Sequence, residues 1–387
     1  MKTLTTNSNR FSARALRLFV CALAASILAA GAAWAQSTGG RDVWNWIRSD
    51  DNKKIEVRVE GKVEFNEDYS DVASIPSDGA LRITDSRAGD TLRLSVTRGS
   101  DGSLLRDYTV NGARHDFDAG ARAWLREVLL LAARQGGLDA RERVRRIVAR
   151  GGPRALIEEI THIEGDYSRR IYFDELLKIE NLRDEDRRAA LRDAAASIKS
   201  DYERSQLLQH VAGVYLAKGD LAPVFFEALA PIGSDYERHQ VLRVAFKRAD
   251  LSGESLTAAA RIAASFTSDY ERATFLAESA ARFMGDARTR AAFFDALRTV
   301  KSDYEHHRVL SAVIKSPALG REALFETARS AADIKSDYEK ASFLVEAASH
   351  YQSDEHLRAA FASAMRTIGS DYERGRVETR IAKMTTN

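Results

Sequence analysis

Two columns of residues carry most of the chemistry that this sequence offers. Tyrosines stand at Tyr202, Tyr236, Tyr270, Tyr304, Tyr338 and Tyr372, each 34 residues after the last. A base follows two positions on, as Arg204, Arg238, Arg272, His306, Lys340 and Arg374. Phenols and guanidinium groups at fixed spacing suit a ladder that grips an extended peptide or an acidic polymer, since both residue types anchor interfaces. The same spacing has a structural meaning. A residue that seals one repeat against the next must recur at every interface. The ring would then pack on the adjacent hairpin, and Asp201 or Glu203 would pair with Arg204 or with the next repeat's base.

Other chemistry is sparse. His306-His307 beside Glu305 has the composition of a metal site, but adjacent helical residues point apart, so a surface pair is expected. His350 and His356 have no third ligand in register. There is no Gly-x-Ser-x-Gly elbow and no Gly-rich phosphate loop after a strand. Carboxylates are too abundant here for any pair to be specific. The expectation is therefore no catalytic residue, no metal and no cofactor.

The residues that position the columns are the other members of the tetrad Ser-Asp-Tyr-Glu. It occurs at Ser200–Glu203, Ser234–Glu237, Ser268–Glu271, Ser302–Glu305, Ser336–Glu339 and Ser370–Glu373. Ser at position one and Glu at position four form a capping box. The serine oxygen accepts from the glutamate's backbone N–H, and the glutamate carboxylate reaches back to the serine N–H. Asp between them sits on the positive end of the helix dipole. Each box contributes about 1 kcal/mol.

Behind each cap runs an apolar stripe, first as Leu208, Val211, Ala212 and Tyr215, at helical spacing. A short break and a second helix follow. That helix closes on Ile198, Ile232, Phe266, Val300, Ile334 or Ile368, two residues before each serine. Each repeat is thus a helical hairpin that cannot bury its stripe alone. A period of this size predicts a right-handed α-solenoid. Residues 166–387 form the array. Gly165-Asp166-Tyr167-Ser168 is a degenerate first junction, and the last copy is a half-repeat with Glu378 where the others have Leu. Residues 119–165 supply linking helices and that degenerate repeat, with helices over about 138–150 and 153–163 broken at Gly151-Gly152-Pro153.

Residues 41–117 alternate instead. Ile55, Val57 and Val59 are followed by Leu81 and Ile83, by Leu92, Leu94 and Val96, and by Tyr108 and Val110. Period-two alternation predicts strands with one buried face, here a small antiparallel β-rich module of about five or six strands. Asn111-Gly112 is a hairpin signal. Trp44 and Trp46 are expected to cap its open face.

The Ser-Asp-Tyr-Glu-Arg/Lys hairpins with a β-rich segment ahead of them resemble a group of exported bacterial proteins of unknown function. Similar repeats are appended to some membrane metallopeptidases of the β-lactam-sensor type. The resemblance covers most of the chain and implies a fold and a compartment. The peptidase half of such proteins has no counterpart, since no His-Glu-x-x-His occurs. The geometry is similar to tetratricopeptide or HEAT repeats, without the Trp-Leu-Gly-Tyr and closing Pro pattern of the former.

The ends and composition set the compartment. Lys2, Arg10, Arg14 and Arg17 precede an apolar run from Leu18 to Ala33 and the small-x-small site Ala33-Trp34-Ala35. Residues 1–35 read as a cleaved signal peptide, which places the protein in the periplasm or outside the cell with no transmembrane segment left. The only cysteine, Cys21, lies in that leader, so no disulfide or Cys-type zinc site is expected. With 58 basic and 56 acidic residues interspersed, nucleic acid is not an expected partner. The function expected is a non-catalytic exported scaffold or adaptor that binds a protein or peptide on its helical-repeat surface. Two rivals are an envelope-polymer sensor that reads peptidoglycan fragments and a hydrolase with its site at the junction of the two modules.

Overall fold

The computed structural model describes residues 33–38, 41–50, 52–87, 89–248, 250–351 and 354–385. The expected leader, residues 1–32 of it, lies outside them. The protein is mainly helical, with an antiparallel sheet in its N-terminal region. It divides into two compact units. One holds the chain up to Arg146 with His162–Ser168, the other Ile147–Thr161 with the chain from Arg169 onward. No helix among the described residues is long and apolar enough to cross a membrane.

The first unit has more strands than the alternation suggested. They are β1 (Ala33–Thr38), β2 (Arg41–Asp50), β3 (Lys53–Glu60), β4 (Glu64–Phe65), β5 (Val72–Ser74), β6 (Ala80–Arg87), β7 (Asp90–Arg98), β8 (Leu104–Val110) and β9 (Ala113–Arg114). Seven of them form one sheet in the order β1-β2-β3-β6-β7-β8-β9, with β4-β5 a separate hairpin. β1 starts at the expected cleavage site and pairs Ala33 with Trp46 through to Thr38 with Arg41. The β8-β9 turn is the Asn-Gly hairpin, with φ of 51° at Asn111 and 83° at Gly112.

Helix α1 (Ala119–Gly136) shares the sheet's core. Val57, Leu81, Ile83, Leu94 and Val96 from the strands are buried with Leu125, Val128, Leu129 and Ala132 from the helix. Asp118 caps it by accepting from the Ala121 N–H, and Gly137 ends it at φ 71°. Trp46 is fully buried. A Cβ on Gly136 would come within 2.7 Å of that indole, so close approach requires glycine there. Tyr69 and Asp139, both left-handed at φ 57° and 54°, are joined by a phenol-to-carboxylate hydrogen bond of 3.0 Å. Arg146 donates to both.

Helix α2 (Ala140–Ile160) is the two expected helices run together, with a break at Gly152, where φ is 71°. The hairpins follow as α3 (Asp166–Leu177) and α4 (Asp184–Ser197), α5 (Asp201–Ala217) and α6 (Ala222–Leu229), and α7 (Asp235–Arg248) and α8 (Gly253–Ala264). Next come α9 (Asp269–Phe283) and α10 (Ala287–Leu297), α11 (Asp303–Ile314) and α12 (Arg321–Ala331), α13 (Asp337–Ala347) and α14 (Glu355–Arg366), and the lone α15 (Asp371–Thr385). From α5 onward each first helix packs on the next first helix. From α4 onward each second helix packs on the next second helix. The closing residues Ile198, Ile232, Phe266, Val300, Ile334 and Ile368 are all buried. So are Tyr215 and Tyr351 of the apolar stripes, whose hydroxyls donate to the carbonyls of Arg187 at 2.7 Å and Leu324 at 3.0 Å.

Candidate functional site

Each junction is built from its serine outward. The serine oxygen accepts from the N–H of the residue three on, at 3.3 Å, in all six copies. The return half of the expected capping box is replaced. The N–H of Ser234 donates to Asp201 of the preceding repeat at 2.9 Å. Ser268, Ser302, Ser336 and Ser370 likewise donate to Asp235, Asp269, Asp303 and Asp337, at 2.8–2.9 Å. The residue before each of these serines donates to the same carboxylate. One aspartate thus satisfies two orphan donors at the next junction with charge-assisted bonds. The N–H bonds from Gly369 and Ser370 hold the Asp337 carboxyl below its usual range. At Asp235 burial acts upward, but bonds from Thr267 and Ser268 outweigh it and the carboxyl is also lowered.

The glutamates are thereby released to other partners, and these alternate. Glu203, Glu271 and Glu339 accept from Arg170, His239 and His307 of the preceding repeat at 2.5, 2.6 and 2.7 Å. Glu305 and Glu373 instead accept from Arg308 and Arg376 of their own helix at 2.7 and 2.5 Å. Five of the six glutamates thus follow a second period of two repeats.

The basic column turns inward. Arg238, Arg272, His306 and Lys340 are buried. Arg204 donates to the carbonyls of Ile198 at 2.6 Å and Pro231 at 3.3 Å. Arg272 donates to those of Ala263 at 3.3 Å and Thr299 at 2.9 Å, and to that of Phe266. Lys340 reaches Thr367, and Arg374 the Ile368 carbonyl. A base thus collects the free carbonyls at one helix end and, in the interior repeats, ties them to the next. The expected surface pair of histidines is corrected too. His306 is buried against Ser330 at 2.8 Å, and burial lowers its pKa. His307 points apart from it, to Glu339.

The tyrosine column turns outward. Tyr202, Tyr236, Tyr270, Tyr304, Tyr338 and Tyr372 are 56–76% exposed, so the expected packing of these rings into the adjacent hairpin is corrected. The structure puts the two columns, two residues apart in the sequence, on opposite sides of the first helices. Cations on the following repeat touch two of the rings: Arg308 lies 5.5 Å over Tyr270 and Arg376 lies 5.4 Å over Tyr338. At α15 the column opens into a groove of about 600 Å³ lined by Tyr372, Gly375, Arg376, Thr379, Arg380 and Lys383.

One arrangement was not foreseen. Buried Asp174 accepts from His210 Nδ1 and from Arg170, both at 2.9 Å. No group of three or more His, Cys, Asp or Glu among the described residues is placed to hold a metal ion. Compared with protein-family models, curated proteins and solved structures, the chain matches none.

Proposed function

We propose that this protein is a non-catalytic, exported scaffold, and that its helical repeats form a right-handed α-solenoid whose tyrosine column binds a protein or peptide partner. The observation that carries this reading is the exposure of the same large ring in six successive repeats. Interior tyrosines of this chain find a partner for the hydroxyl and are buried. The column residues spend their rings on solvent, which is the residue type and placement of an interface anchor. The unbroken run of first-helix neighbours supports a continuous row of such anchors. The leader pattern supports export.

Peptide-display selection against the wild-type chain tests the reading. It is counter-screened on a variant carrying Tyr236→Ser, Tyr270→Ser, Tyr304→Ser and Tyr338→Ser that melts within a few degrees of wild type. Peptides that the wild type retains and the variant releases support it. Enrichment that ignores the four substitutions, or none at all, overturns it.

A further inference from the structure

The tyrosine face has a charge pattern of its own. Counting each serine as position one, Tyr is at three, and positions seven, ten and fourteen continue one stripe down the helix. Across the six repeats from Ser200 these eighteen positions hold no Asp or Glu, in a chain with 56 such residues. They hold six cations: Arg243, Lys247, Arg308, Lys315, Arg376 and Lys383. Arg243 and Lys247 lie on α7, Arg308 on α11 with Lys315 at its C-cap, and Arg376 and Lys383 on α15, with none on α5, α9 or α13. Position fourteen shows it most simply. Lys247, Lys315 and Lys383 alternate with Gly213, Ala281 and Ser349.

Beside this stripe stand Glu278 and Glu346, each facing a basic side chain. His239 is 3.7 Å from Glu278, while His307 and Lys315 share Glu346. Arg308 and Arg376 pair with Glu305 and Glu373. Asp371 in the terminal groove pairs with Arg374. Lys247 and Lys383 are exposed and have no ion-pair partner among the described residues. Of the six, Arg243 and Lys247 on α7 and Lys383 on α15 have no acidic partner among the described residues, while Arg308 and Lys315 at α11 and Arg376 on α15 face the carboxylates named above.

We propose that this face binds an extended acidic polypeptide, laid across the first helices so that each tyrosine meets it and cations meet its carboxylates on alternate helices. The proposal rests on the tyrosine reading above and adds the partner's chemistry. Packed helices lie about 8–10 Å apart, so the cations recur about every 16–20 Å. An extended chain rises about 3.3 Å per residue. The matching acidic groups would fall about five or six residues apart.

The test uses the full chain and fluorescence anisotropy with a labelled synthetic peptide carrying glutamate pairs about six residues apart. Comparison ligands are the same composition with its glutamates gathered at one end, a glutamine version, and hyaluronate as an acidic polysaccharide. The expected result is preference for the spaced peptide, weakened by salt. Lys247→Glu with Lys383→Glu should weaken it about tenfold or more. Lys247→Gln with Lys383→Gln is the fallback if the reversal perturbs the melt. Affinity unchanged in both variants, or equal for the glutamine peptide, overturns the proposal. If that glutamine peptide binds through the tyrosines, the parent reading survives alone. Acidic binding that ignores Tyr270→Ser and Tyr304→Ser instead removes the tyrosine reading. Hyaluronate binding as tightly as the spaced peptide overturns the polypeptide occupant, and no binding by any ligand overturns the charge proposal.

Discussion

The two units hold together by different means. In the first, a sheet and one helix share an apolar core in which each contact occurs once, as with Trp46 against Gly136. In the second, apolar stripes are backed by polar staples that repeat. An aspartate reaches forward to two N–H groups, and a base gathers carbonyls from the helix ends on either side. Hydrophobic burial is non-directional, so it can hold a repeat without fixing its rotation against the next. Hydrogen bonds to charged groups are directional and strong. The array can therefore add copies while each copy fixes the register of its successor.

The sharpest way to break this contrast is Arg272→Ala. Its guanidinium is buried and donates to three carbonyls and to Asp269. Removing one partner of a buried charged network costs about 3–5 kcal/mol, read as a fall in the urea midpoint. Arg374→Ala on α15 should cost about 1 kcal/mol, since among the described residues it holds one carbonyl and an exposed aspartate. Equal losses would mean that the column does not bind repeats together.

In the first unit the corresponding weak point is steric. Gly136→Ala places a Cβ against the Trp46 ring, and overpacking of this kind costs about 1–3 kcal/mol. Intrinsic tryptophan fluorescence during denaturation should show the loss. A neutral result would mean that the indole shifts without strain.

How much of this was legible beforehand follows from the same contrast. A junction residue is written six times, so Ser, Glu, Tyr and the closing apolar residue stood out with their spacing, and the helix starts at the serines were found. What the spacing could not tell was direction. Asp201 and Glu203 are both acidic and near the same cap. Only the packing of the next repeat decides that the aspartate takes its serine and the glutamate takes a base. The Tyr and Arg columns sit two residues apart, about 200° around a helix, which already separates them into an outward and an inward row. The first unit is written once. The two-residue strand β4 and the hairpin it makes with β5 leave no alternation long enough to read, and β1 lay under a leader pattern.

Two smaller effects sharpen the comparison within the array. Asp235→Ala leaves the N–H groups of Thr267 and Ser268 without their acceptor and should cost about 1–3 kcal/mol. Asp371 meets no further junction among the described residues and its side chain is exposed, so with Asp371→Ala thermal melts should barely move. The staple also fixes a pH dependence. Asp235 and Asp337 have lowered pKa values in the fold, so the unfolded chain binds more protons on acidification. Their contribution is fully present above about pH 5, near the top of the unfolded carboxyl titration, and is lost as pH falls through about 4 and below. Asp235→Asn should flatten that fall. An unchanged acid profile would place the titrating groups elsewhere.

The smallest expected effect is the most informative about function. Tyr304 is 61% exposed and has no cation over its ring among the described residues, so Tyr304→Ala should change stability by no more than about 0.5 kcal/mol. Tyr270 has Arg308 stacked on it, and Tyr270→Ala should cost a further few tenths up to about 1 kcal/mol for the lost cation–π contact. Losses that small would support the proposal that these exposed rings serve as a binding face. If Tyr304→Ala instead lowers the urea midpoint as much as Arg272→Ala, the column is cement like the bases beneath it, and the binding face must be sought on the second helices.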